Sequence, residues 1–215
     1  MAVLKNGPNG QLVGTLAKVV YYNLNGQVVS RSVGKTTKER TIPQLSVTTQ
    51  TSISSKLLKQ LQVFFNVGFS IEIKGTTNNA FNMAVSINRN KMMTGVYPDF
   101  GIDYSSIELS RGVLKPGENL QAVSTDKAIL FSWDADPKMA WPESTDLVML
   151  IAYFPEHDRS LVKIGGNARN TGADKLILPK SLKNSPAETY MAFVANDRKQ
   201  VSDSTYLGLV NLKAQ

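Results

Sequence analysis

The chain has 215 residues, 42% of them hydrophobic and 19% charged, which describes an ordered globular protein with enough chain for one large domain or two modest ones. It has no cysteine and one histidine, which excludes disulfides, thiolate metal centres, cysteine nucleophiles and any site needing two imidazoles. The net charge of +7 is unevenly placed: residues 1–100 hold eleven Lys/Arg against three acids, while 101–215 hold thirteen against fourteen. A basic half joined to a near-neutral half points to an anionic surface at one end, set against the plainer reading of a solvated basic face.

The N-terminal MAVLKNGPNGQLVG contains no apolar run of signal-peptide length, because Gly7, Pro8, Asn9 and Gly10 interrupt it. Synthesis in the cytoplasm without a signal peptide is therefore expected. No window approaches 18 consecutive apolar residues, so no membrane span is expected either.

In VVYYNLNGQVVSRSVGKTTKER, Val19 to Arg40, the Asn25-Gly26 pair supplies the positive φ angles of a type I′ turn. Leu16–Asn23 and Gln27–Val33 read as the two arms of a hairpin. A lone two-stranded hairpin is marginal in water, so it must pack on its own chain or on a neighbour. Val19, Tyr21, Asn25, Gly26 and Val28 are the residues expected to form that assembly element. Lys18, Arg31, Lys35, Lys38 and Arg40 could neutralise phosphates, with Tyr21 and Tyr22 beside them as stacking groups. Such contact would be backbone-directed, since no reading module is present.

Pro43 biases Ile42 toward extended geometry and closes this basic stretch. A helix follows over about Ser54–Val67, with Leu57, Leu58, Leu61, Phe64 and Phe65 as one apolar stripe and Gly68 as its stop. A second is expected from Asn79, its cap, to Met93, with Phe81, Ala84, Val85 and Met92 on one face and Gly95 beyond the end. From Asp103 the pattern changes to short strands between turn residues: Ser105–Arg111, Ala128–Asp134, Asp146–Phe154, Arg159–Gly165, Lys175–Pro179, Thr189–Asn196 and Thr205–Leu212. Ile129, Phe131 and Trp133 alternate onto one face, as do Tyr190, Ala192 and Val194.

Trp133 in LFSW and Tyr190 in TYMAFVANDRKQVSDSTYLGLVNL make residues 103–215 resemble a fibronectin type III module, one of the immunoglobulin-like sandwiches. The resemblance implies a tyrosine corner at Tyr190 and says nothing of activity. The order of Gly7, Gly10 and Gly14, the hairpin with Arg31-Ser32, and NAFNMAVSINRNKMMTGVYPDFGIDYSSIELSRG over 79–112 make the whole chain similar to an uncharacterised Bacteroidota family, a domain of unknown function. The expected fold is mainly β: an N-terminal hairpin and short helical segment over 1–102, then an antiparallel immunoglobulin-like β-sandwich over 103–215.

Motifs for chemistry are weak. His157 lies between acids in PEHDR but has no partner for a triad or a metal. Asp134-Ala135-Asp136 opens like a calcium loop without its glycine and closing glutamate. Gly34-Lys35-Thr36 lacks the upstream glycine of a phosphate loop, and no G-x-S-x-G occurs. No enzyme activity, cofactor or metal is expected. The reading is a non-enzymatic, self-assembling structural protein, a phage or prophage virion component (capsid or decoration) or a filament subunit. As a homo-oligomer or higher assembly it would reside in a virion or an extracellular assembly, with packaged nucleic acid against its basic half. The alternatives are a surface adhesin-like binding module using the sandwich loops, or a backbone-directed nucleic-acid-associated protein.

Overall fold

The computed structural model describes residues 2–5, 10–35, 37–136, 138–183 and 185–211, and the backbone alone of Leu4 and Lys5. Gly7, Thr36 and Leu212, which entered the sequence reading, lie outside the described residues. The protein is mainly β, and it divides into two compact units, Met1–Thr41 and Ile42–Gln215.

In the first unit the expected hairpin is the second half of a four-stranded antiparallel meander. Its strands β1 (Ala2–Lys5), β2 (Gln11–Leu16), β3 (Val19–Leu24) and β4 (Gln27–Ser32) pair in sequence order. Asn25 and Gly26 take φ of 51° and 88°, as the type I′ turn requires, and the Gly26 N–H donates to Asn23 Oδ1 at 2.8 Å. Register places Tyr21 opposite Ser30 on one side and Gly14 on the other. With side chains alternating, Leu12, Leu16, Val19, Tyr21 and Val28 share one face, and Val3, Val13, Val20, Tyr22 and Val29 share the other. Both faces are thus partly apolar, yet no described residue of 2–41 is buried.

The second unit is layered around a four-stranded sheet. Helix α1 (Ile42–Gly68) and helix α2 (Ala80–Asn88) precede a small hairpin, β5 (Met93–Val96) and β6 (Asp99–Ile102). Then come β7 (Gln121–Ser124), β8 (Ala128–Ser132), β9 (Leu147–Phe154), β10 (Arg159–Ala168), β11 (Ala173–Ile177), β12 (Ala187–Val194) and β13 (Thr205–Val210). One antiparallel sheet has the order β10-β9-β12-β13 and the other β11-β8-β7. β9 and β12 are buried on both faces, so each contributes to two cores. Met149, Ile151, Tyr153, Tyr190, Ala192 and Val194 pack with α1 and α2; Val148, Leu150, Ala152, Phe154, Met191 and Phe193 pack with Ile129, Phe131, Trp133 and Leu176.

Several expectations change. Helix α1 starts at Ile42, twelve residues before the expected Ser54. Pro43 is tolerated in the first turn, where its missing N–H has no intrahelical acceptor anyway. The added turns lack a buried stripe, and Thr48, Thr51 and Ser54 donate to the carbonyls of Gln44, Val47 and Gln50, each at 2.8 Å. Helix α2 does start from Asn79, whose Oδ1 accepts from Asn82 N–H at 2.8 Å, but it ends at Asn88. Met93 belongs instead to β5, and Gly95 serves the β5–β6 hairpin with φ of 79°.

Ser105–Arg111 forms no ladder. It is an extended strap beginning in a single 3₁₀ turn, Tyr104–Ser106, and its polar backbone is satisfied by side chains and by helix ends. Asn88 donates to Glu108 O at 2.8 Å and accepts from Glu108 N–H at 2.7 Å. Leu109 N–H donates to Ser204 Oγ at 2.8 Å, and Arg111 N–H to Gly68 O at 3.2 Å. Gly68 permits this approach, because a Cβ there would lie 2.2 Å from Leu109 O. The seventh strand is β7, whose QAVS carries too little apolar alternation to read as a strand.

The Asp174 carboxylate, 4% exposed, ties β11 to β10 through Lys163 Nζ at 2.6 Å and accepts the Asn167 N–H at 2.8 Å. Burial pushes its pKa up, but Lys163 and the backbone donors outweigh that and hold it below the ordinary 3.8. A carboxyl lowered on folding contributes stability above its unfolded value, which is lost as pH falls through the folded one. Urea midpoints should therefore drop from about pH 4 downward, and Asp174→Asn should flatten that acid limb while lowering stability at neutral pH.

Candidate functional site

The residues expected to matter are found in two places. The basic set is exposed in the first unit: Lys18 in the β2–β3 turn, Arg31 on β4, and Lys35, Lys38 and Arg40 in the segment that follows. Val33 N–H donates to Lys18 O at 2.8 Å, so the turn carrying Lys18 and the outgoing basic segment meet at one end of the sheet. Arg31 lies over the Tyr22 ring, 5.9 Å from its centroid. Val19, Tyr21 and Val28 share one sheet face, and Asn25-Gly26 forms the turn between β3 and β4.

The other expected features stay apart. His157 is in the β9–β10 turn, where its Nε2 and Ser185 Oγ are 2.6 Å apart, and Tyr153 OH donates to Asp158 nearby at 3.1 Å. Asp134 accepts from Asn119 Nδ2 at 2.5 Å, and Asp136 from Lys138 N–H at 2.8 Å. Among the described residues no group of three or more His, Asp or Glu could hold a metal. Among the described residues no helix is long and apolar enough to cross a membrane. Tyr190 OH donates to Tyr104 O at 2.7 Å, 86 positions upstream, rather than to backbone near its own strand as a tyrosine corner does.

A concavity for which no individual residue was expected lies at the end of the sandwich where the segment before β7 meets the β8–β9, β10–β11 and β12–β13 connections. It is a cleft of about 510 Å³ lined by Val113, Leu114, Trp141, Glu143, Asp146, Arg169, Asn196, Asp197 and Gln200, among others. Its floor is built around Arg169, a cation with only 4% of its side chain exposed. The guanidinium donates to Asp146 Oδ2 at 3.2 Å, to Pro116 O at 3.0 Å and to Lys115 O; it also sits 4.3 Å from the Phe193 ring centroid. The main chain of Arg169 joins in. Its N–H donates to Asp146 O at 2.7 Å, and its carbonyl accepts from Trp133 Nε1 at 2.6 Å. Burial raises the Asp146 carboxyl against the opposing pull of Arg169.

The rim contrasts with that floor. Trp141 is 80% exposed and Val113 81%. Leaving an indole ring in water forfeits about 3 kcal/mol of burial, while Trp133, the other tryptophan, is packed edge-on to Phe193. The sequence signal for the rim was Trp141-Pro142 within a polar, turn-rich run. For Arg169, in NARNTG, there was none, because its partners come from 23 and 53 positions away.

The chain matches a family of unknown function (DUF6266) over residues 5–208. No curated protein matches it.

If Arg169 organises this end, Arg169→Leu should lower unfolding stability by roughly 3–5 kcal/mol by stranding the buried Asp146 carboxylate. Asp146→Asn with Arg169→Leu should recover part of that loss, read as urea midpoints at pH 7.

Proposed function

The chain belongs to a family with no assigned activity, and we propose that it is a non-enzymatic, self-assembling structural protein whose N-terminal sheet is completed by another copy. One observation carries this reading. A four-stranded sheet with valine, leucine and tyrosine on both faces contains no buried residue among those described. A sheet gains stability from at least one covered face, and here nothing within 2–41 supplies a cover. Its outer strands β1 and β4 also each present a backbone edge to which a neighbouring strand can add.

The particle that suits this is a shell or filament of the virion type. Its first 41 residues carry six Lys/Arg and one Glu, so the assembly element brings positive charge that packaged nucleic acid would neutralise. The strand order supports a fibronectin type III-like body: strands one, two and five of β7–β13 form one sheet, and three, four, six and seven form the other. A second reading, an adhesin-like binding module, is favoured by the cleft at the loop end of that body.

Sedimentation velocity on nuclease-treated protein over a concentration series tests assembly. Species heavier than one chain are expected, and Tyr21→Ser with Val28→Lys should return them to monomer without changing the melting of residues 42–215. A wild-type protein that stays monomeric at every concentration sinks the reading. Addition of nucleic acid should give binding that weakens with salt, and Lys35→Ala with Arg40→Ala should flatten that dependence.

A further inference from the structure

We infer that the cleft at the loop end of the sandwich binds a neutral carbohydrate, with a pyranose ring stacked on Trp141. The inference rests on the second reading above, that this end is a binding surface, and it is independent of assembly by the N-terminal sheet.

The chemistry of the lining selects the ligand class. Trp141, 80% exposed, and Val113 offer a flat apolar surface at the rim. A pyranose presents just such a face, a patch of C–H groups, with its hydroxyls directed around the edge. Each hydroxyl both donates and accepts, and the same cleft is lined by the Asn196 and Gln200 amides, which also do both, and by the Glu143 and Asp197 carboxylates, which accept.

Charge argues against an anion. The charged groups of the lining are already paired: Lys115 with Glu118 at 2.9 Å, Arg169 with Asp146 at 3.2 Å and Glu143 at 3.6 Å, and Asp197 with Lys199 at 3.7 Å. An ionic ligand has to compete with those pairs, and a neutral one does not.

The site is formed in advance of any ligand. Arg169 links the segment before β7, the β8–β9 connection and the β10–β11 turn in one hydrogen-bonded knot. Three of the segments that line the cleft are therefore joined before any ligand arrives, which lowers the ordering that binding must oppose. Its volume of about 510 Å³ falls in the range of small-ligand sites.

The test is an array of neutral hexopyranose and N-acetylhexosamine oligomers, followed by titration of the best binder against tryptophan fluorescence with iodide as quencher. Trp133 is buried and Trp141 exposed, so iodide reports Trp141. Saturable binding is expected, with Trp141 shielded from iodide. Trp141→Ala should weaken binding at least tenfold with an unchanged melting temperature, and Trp141→Phe should restore part of it. If no oligomer binds, or Trp141→Ala binds as well as wild type, the carbohydrate assignment is overturned. Trp141-dependent binding of a protein in place of any glycan would overturn the assignment and keep the binding-surface reading. No Trp141-dependent binding of either kind would remove both.

Discussion

The second unit depends on one constraint: β9 and β12 lie side by side with both faces covered. All of Val148–Phe154 and all of Ala187–Val194 are buried. Because side chains alternate along a strand, every odd position of β9 serves the helical layer and every even one the second sheet, so a single-residue slip would empty both cores at once. The polar residues inside β12 are satisfied locally. Thr189 Oγ1 donates to Gly208 O at 2.8 Å, and Glu188 accepts from Tyr206 OH at 2.5 Å. Burial raises the Glu188 carboxyl more than the tyrosine hydrogen bond lowers it.

Other elements of the chain have less of a core or none among the described residues. At the loop end a buried guanidinium joins segments far apart in sequence through Asp146 and the carbonyls of Lys115 and Pro116, above the Phe193 ring. Trp141, which lines the same cleft, stays in solvent. The N-terminal sheet is the opposite case, with complete strand pairing and no interior. Pairing satisfies backbone groups, but net stability comes mainly from removing apolar surface from water. The N-terminal sheet, with no buried residue among those described, and the exposed Trp141 indole are therefore two places where apolar surface is left in water.

What could be read from the sequence was local or periodic. Asn25-Gly26 marks its turn because only residues tolerant of positive φ fit there. Asn79 marks a helix start because its side chain reaches the N–H of Asn82. LVMLIAYF and TYMAFV read as strands because only a doubly covered strand is apolar at nearly every position. The misses differ in cause. The first turns of α1 have no apolar stripe, the strap over 105–111 is extended without a ladder, and β7 pairs though its sequence is bland. The strap and β7 find their partners elsewhere in the chain, whereas the first turns of α1 are polar and bond within the helix.

The candidate site was less legible than the fold. The sequence by itself determined the class of protein: no cysteine, one histidine, no phosphate loop, a basic first hundred residues and an alternating second half, properties set by residue type and spacing. The tertiary structure alone decided that the hairpin is half of a meander with no interior. It alone brought Arg169, Asp146 and Pro116 together at the end of the fold where Trp141 lines a cleft. Those are long-range proximities, created by strand pairing between distant segments, and one-dimensional spacing does not encode them.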